Sequence, residues 1–209
     1  MPKAISKKPS KDGLVSPPDS PLPTPSLSSP KIKFSYAIAR GEMGVLTFEP
    51  YKSLILPYWA FRTVPIANSS ASTLFSIFNS YVERGDFVGA DMTRKYVQMG
   101  MTRARRYANW KGGRKYGKDG EKNERWSGDG TEGEEGRKRR EKEQASEVFK
   151  SYWRRCTDDE SYRALKGEWM REKKLWEKRK SKAEEGEEED ADKRDEQAEE
   201  ADEEVESNP

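Results

Sequence analysis

Histidine is absent from the 209 residues, and cysteine occurs once, as Cys156. The first absence removes imidazole from every acid–base pair, nucleophile–base relay and zinc-ligand set. The second excludes an internal disulfide and any multi-cysteine metal site, and it fits a reducing compartment. Apolar residues are also scarce, 32% of the chain against roughly 45–50% in a usual globular domain. None of their runs approaches the ~20 residues that span a bilayer, and the N-terminus shows no apolar signal-peptide core. The expectation is an intracellular protein, cytoplasmic or nuclear, with no membrane partner, no cofactor and no metal.

Charge is abundant instead. Lys and Arg number 40 and Asp and Glu 38, a net charge of only +2. That balance conceals a segregation: residues 181–209 hold 15 acids and 3 bases, so residues 1–180 carry a net +14. A chain this polar orders itself only where its apolar residues concentrate.

Residues 1–33 form a Ser/Pro/Lys-rich segment with Ser/Thr-Pro steps at Ser16, Ser20, Thr24 and Ser29. Prolines at this density disfavour helices and ladders, which predicts a disordered, locally polyproline-like stretch. The Ser/Thr-Pro steps are ordinary linker composition or targets of proline-directed kinases. Residues 34–116 form the core. Within it Val45–Phe48, after Gly41 and Gly44 and before Pro50, reads as one short strand. Ser53–Phe61 is strongly apolar with Pro57 inside, and its pattern fits either a broken helical turn or an extended segment.

Helical spacing then takes over. Asn68, Ser69 and Ser70 make a capping cluster, followed by Leu74, Phe75, Ile77, Phe78, Tyr81 and Val82, then Gly85 as a stop. Asp86 can cap a second helix to about Ala108, so residues 70–108 are predicted to be a central αα-hairpin. Residues 117–141 read as a mobile charged loop, 142–178 as C-terminal helices that pack the hairpin, and 179–209 as an acidic disordered tail. Residues Val148, Phe149, Tyr152 and Trp153, and then Tyr162, Leu165, Trp169 and Trp176, supply the apolar faces, and their periodicity allows a coiled coil. The predicted class is mainly α with a minor β element.

The second arm of the hairpin carries a basic pattern. On a helical wheel, apolar residues fill two sectors, and between them runs a stripe of Asp91, Arg94, Lys95, Gln98, Thr102, Arg105 and Arg106. The stripe continues into the next segment, and from Arg94 to Tyr116 eight bases and no acid occur. Guanidinium groups grip phosphate oxygens in pairs and aromatic rings stack on bases. The candidate nucleic-acid or phosphate site is therefore Arg94, Lys95, Arg103, Arg105, Arg106, Tyr107, Trp110, Lys111, Arg114 and Lys115, with Gly112-Gly113 allowing close backbone approach. Against this stand a merely solvated face, pairing with Glu42, Glu49 or Glu83, and cover by the acidic tail.

The favoured reading is a non-enzymatic nucleic-acid- or phosphate-binding module. One alternative is a protein–protein interaction protein with charged disordered tails, its strip docked on an acidic partner. Another is a Mg-dependent phosphodiesterase built on Glu42, Glu49 and Lys52, against which local Arg40–Glu42 and Glu49–Lys52 ion pairs must be set. Cys156, following Arg154 and Arg155 but without a histidine, reads as packing rather than nucleophile. Arg137–Lys142 (RKRREK) can serve as a nuclear-import signal or a solvated charge run.

Two long stretches, RGEMGVLTFEPYKSLILPYWAFRT and YVERGDFVGADMTRKYVQMGMTRARRYANWKGGRKY, resemble an uncharacterised microbial family, the domain-of-unknown-function family numbered four-three-eight-five. The resemblance covers residues 34–116 and, more loosely, 144–176. It implies a domain boundary and no chemistry. In similar sequences the Asn of the Tyr-Ala-Asn step is followed by His, where this chain has Trp110. The stretch from Phe34 to Glu42 is also shorter than in its relatives, which implies either that an N-terminal element of the domain is lacking or that the gene model is incomplete.

Overall fold

The computed structural model describes residues 13–117, 119–123, 125 and 133–206, with side chains through residue 183 apart from that of Lys111. Two compact units emerge, Met1–Lys166 and Gly167–Pro209. The first holds α1 (Pro25–Ser28), α2 (Pro30–Ser35), α3 (Tyr51–Ile55), α4 (Val64–Glu83), α5 (Phe87–Asn109) and α6 (Gly133–Asp158). Short 3-10 turns follow α3 at Leu56–Tyr58 and α5 at Lys111–Gly113. A last helix, α7 (Glu160–Glu206), begins in the first unit and makes up the described part of the second.

The hairpin joint is built from local chemistry. Gly85 takes φ +74°, and its N–H and that of Asp86 donate to the carbonyls of Val82 and Tyr81, closing the end of α4. Asp86 then caps α5 by accepting from the Gly89 N–H at 2.9 Å. Between the arms, Leu74, Ile77, Phe78 and Tyr81 of α4 and Val88, Met92, Tyr96 and Met99 of α5 are buried, each side chain contributing about 1.5–3 kcal/mol. Helix α6 packs across both arms. Its Phe149 ring lies so close to Gly100 that a methyl there would sit 2.5 Å from ring carbon.

The hairpin starts earlier than its serine cluster predicts. Thr63 is the cap, accepting from the Ile66 N–H at 3.4 Å, and Pro65 sits in the first turn. Ser69 and Ser70 lie inside α4 and bind neighbouring chain instead. Ser69 accepts from the Val15 N–H at 3.1 Å. Ser70 donates to the Tyr58 carbonyl at 2.8 Å and accepts from the Ala60 N–H at 3.0 Å. Pro57 resolves into a 3-10 turn.

The expected β element is not there, and the fold is all-α. Gly41 and Gly44 take φ of +64° and +81°. The chain after them closes turns from Met43 N–H to Arg40, Val45 to Glu42, and Thr47 and Phe48 to Gly44. Val45–Phe48 thus coils on itself and meets no partner strand. Two isolated antiparallel bridges, Trp110 with Arg125 and Tyr116 with Lys122, are the β pairing among the described residues.

The proline-rich segment was expected to be disordered, yet residues 13–33 are ordered along α4 and the start of α5. Ser26 is buried, Arg84 donates to the Leu22 carbonyl at 2.7 Å, and Tyr81 donates to that of Pro23 at 3.2 Å. Residues 133–141, expected in a mobile loop, begin α6, while Lys118, Glu124 and residues 126–132 lie outside the described residues. Backbone through Glu206 is helical where an acidic disordered tail was expected; side chains from residue 184 onward lie outside the described set. In the second unit Lys173 lies over the Trp169 ring and pairs with Glu177 at 3.7 Å.

Candidate nucleic-acid interface

The polar stripe of α5 divides into two environments. In its first half, Asp91 and Lys95 are each 1% exposed, and the Arg94 side chain 12%. Asp91 accepts from Arg94 Nε at 2.8 Å, from the Tyr162 hydroxyl at 2.6 Å and from the Tyr36 hydroxyl. Lys95 reaches the same carboxylate at 3.8 Å, donates to the Met43 carbonyl at 3.3 Å and lies over the Tyr36 ring. Arg94 also donates to Gln98 at 3.0 Å. Arg94 and Lys95 therefore leave the candidate site: both serve an internal network that joins the N-terminal segment, α5 and the start of α7.

Titration follows that geometry. Burial alone raises a carboxyl, but the Arg94 charge and hydrogen bonds from Tyr162, Tyr36 and Arg94 outweigh it and hold Asp91 below the ordinary range. Burial lowers Arg94, and the Asp91 charge more than restores it, leaving the guanidinium above its usual value. Lys95 is pulled down by burial, against the attraction of Asp91. Tyr36 and Tyr162 are raised, by burial first and then by Asp91. A second buried carboxylate, Asp86, accepts from Ser26 Oγ at 2.8 Å and from the Tyr51 hydroxyl at 2.5 Å.

Beyond Met101 the helix emerges. Arg105, Arg106 and Tyr107 are exposed, as are Arg114 and Lys115 after the helix. Arg105, Arg106 and Arg114 form no ion pair among the described residues. Arg103 faces elsewhere, half-buried with its guanidinium over Trp59 at 5.5 Å. Trp59, Phe61 and Tyr107 form an aromatic row with centroid spacings of 5.0 and 5.9 Å. Lys142 lies over the Phe61 ring and donates to the carbonyls of Phe61 and Arg62. The RKRREK run is thus helical, and its last lysine has structural partners.

The chain after α5 folds back. Gly112 and Gly113 adopt φ of +69° and +70°, and a methyl on Gly113 would strike the Tyr107 ring at 2.6 Å. Asn123 N–H donates to the Lys115 carbonyl at 2.9 Å and Gly117 N–H to that of Glu121 at 2.7 Å. This ribbon sets Lys122 over the Trp110 ring, 5.9 Å from its centroid, and Arg125 opposite Trp110. Backbone of Lys111 is placed in the 3-10 turn.

Between α5 and α6 lies a cleft of about 470 Å³ lined by Met101, Thr102, Arg105, Arg106, Asn109, Trp110, Ser146, Glu147 and Lys150. Its α6 wall was missed because Ser146, Glu147 and Lys150 stand in an ordinary charged helix. Only the crossing of α6 over Gly100 brings them opposite Arg105. Lys122 and Arg125 were missed for a similar reason, since only the ribbon's return places them by Trp110.

The rival sites fare differently. Glu49 pairs with Lys52 at 2.5 Å and accepts from Ser53 at 3.0 Å, while Glu42 accepts from Thr102 rather than pairing with Arg40. No group of three metal-ligating side chains forms among the described residues. Cys156 is buried, and burial pushes its thiol up to about 12 despite the charges of Arg94 and Arg155, which fits packing rather than nucleophilic attack. No helix among the described residues is long and apolar enough to cross a membrane.

No curated protein and no solved structure matches the chain. A family model does, over residues 21–172. That span takes in the proline-rich approach, the hairpin, its covering helix and the start of α7, and the chain belongs to the family described as a domain of unknown function (DUF4385).

Proposed function

We propose that the protein is a non-enzymatic module that binds nucleic acid or a similar phosphate array through the exposed end of α5 and the ribbon after it. One observation carries the reading: Arg105, Arg106 and Arg114 stand in solvent with no acid partner among the described residues. Unpaired guanidiniums keep their full capacity for phosphate oxygens, and Lys115, Lys122 and Arg125 add charge beside them. The site reduces from ten residues to Arg105, Arg106, Tyr107, Trp110, Arg114 and Lys115, with Arg103 against Trp59 and Lys111 in the connecting turn.

Phosphate contacts release counterions, so log K should fall against log[salt] with a slope of about 0.9 per duplex phosphate neutralised. Titration of a fluorescent oligonucleotide at several salt concentrations reads that slope. Joint replacement of Arg105 and Arg106 by Ala should reduce it by about two phosphates' worth. Absence of binding at low salt, both for the full chain and for a chain ending at residue 180, overturns the reading.

The charge split favours a second reading, in which the strip meets an acidic protein surface or the chain's own acidic end. Removal of residues 181–209 then strengthens anion binding, whereas an independent solubilising tail leaves it unchanged.

A further inference from the structure

The α5–α6 cleft differs from the open strip beside it. Its walls combine the Trp110 indole and Met101 with the cations Arg105, Arg106 and Lys150. Two of its hydroxyls are already engaged: Ser146 donates to the Met101 carbonyl at 3.0 Å, and Thr102 donates to Glu42. Glu147, the acid on this wall, pairs with Lys150 at 3.2 Å. What remains for a ligand is the half-buried Trp110 ring, which Lys122 also overlies, an apolar side, the Asn109 amide and a cationic rim. A phosphate alone would have no use for the indole and thioether, and an apolar ligand would leave the guanidiniums unmatched. The volume lies within the 300–1,000 Å³ of typical small-ligand sites.

We propose that this cleft receives one unstacked nucleotide of a single-stranded nucleic acid, its base against Trp110 and its phosphate at Arg105 and Arg106, where it also draws Lys150 out of its exposed pair with Glu147. This rests on the phosphate-binding reading above and adds strand type to it. In a duplex both faces of each base are covered by neighbours, so the indole is reachable only at the cost of unstacking. In a single strand the face is open, and aromatic stacking is sequence-tolerant.

The test is fluorescence anisotropy with the full chain, using a labelled oligothymidylate and a labelled duplex of equal length across a salt series. The expected result is tighter binding of the single strand. Trp110→Ala should reduce that preference about tenfold, the loss of one stacked base, while Trp110→Phe retains most of it. Because Trp110 also closes α5, Lys150→Ala provides a second variant on the opposite wall. It should lower the single-strand salt slope by about 0.7, one phosphate. Equal affinity for both strand types, with Trp110→Ala and Lys150→Ala leaving single-strand binding unchanged, overturns the cleft inference while the strip reading stands. No binding of either probe overturns both.

Discussion

The two halves of α5 carry the same kinds of residue and do opposite things with them. From Phe87 to Gly100 the helix is buried except at the partly covered Arg94 and Gln98, and its polar residues become an internal scaffold around Asp91. From Thr102 to Asn109 it emerges, and Arg105 and Arg106 meet solvent and the cleft while Arg103 packs on Trp59. The helical wheel places Arg94 and Arg105 on one stripe correctly. What differs is the neighbour: Tyr36 and Tyr162 arrive from distant parts of the chain to close the first half, and nothing equivalent closes the second among the described residues. Angular position is a property of the helix, whereas exposure is a property of what packs on it.

The largest expected effect tests the buried half. Asp91 satisfies two tyrosine hydroxyls and compensates Arg94, so Asp91→Asn leaves a buried guanidinium without its counter-charge. Breaking such a pair from one side costs about 3–5 kcal/mol, to be read as a loss in urea-unfolding midpoint. The acid limb sharpens the same point. Asp91 titrates lower folded than its unfolded ~3.9, so its contribution is present above that value and lost as pH falls through the folded one. Acid unfolding of the wild-type chain should therefore steepen below about pH 4, and Asp91→Asn should flatten that limb. A variant as stable as wild type would mean that the network around Asp91 does not hold the N-terminal segment in place.

That network also explains what sequence reasoning could and could not reach. The hairpin joint was legible because its chemistry is local: Gly85 must turn left-handed, and Asp86 caps three residues ahead. Order in residues 13–33 was not legible, because Ser26 is held by Asp86, 60 residues away, and just past the segment Tyr36 is held by Asp91, 55 residues away. Local composition there still says linker, and tertiary hydrogen bonds override it. Val45–Phe48 failed as a strand for the complementary reason: β-favouring residues need a partner edge, and the glycines before them close turns first. In the candidate site, the basic stripe and Trp110 were readable from the local run of sequence, but which arginines reach solvent was not, and Lys150, Lys122 and Arg125 required knowing how α6 and the ribbon return.

A middle-sized effect probes the boundary between the halves. At Gly100 the Phe149 ring of α6 occupies the space a side chain would need. Gly100→Ala raises helix propensity by up to ~1 kcal/mol, yet it places a methyl inside the ring's contact distance, and overpacking of this kind costs about 1–3 kcal/mol. The expected outcome is net destabilisation in thermal unfolding, partly recovered by Phe149→Leu. The same displacement should widen the cleft beyond Gly100, so any oligonucleotide affinity should fall with it. Stabilisation by Gly100→Ala alone would show that α6 does not lie this close.

The smallest stability effect is expected where the functional effect is largest. Arg105 and Arg106 are exposed and unpaired among the described residues, so neither supports the fold through an ion pair. Replacing both by Ala removes two cations from a surface already rich in them and substitutes the best helix former near the end of α5. Unfolding free energy should stay within about 0.5 kcal/mol of wild type, while oligonucleotide affinity falls and its salt slope shrinks. A clear loss of stability in that double variant would mean the outer half of the stripe is structural like the inner half, and the contrast within α5 would disappear together with the case for an open phosphate-binding surface.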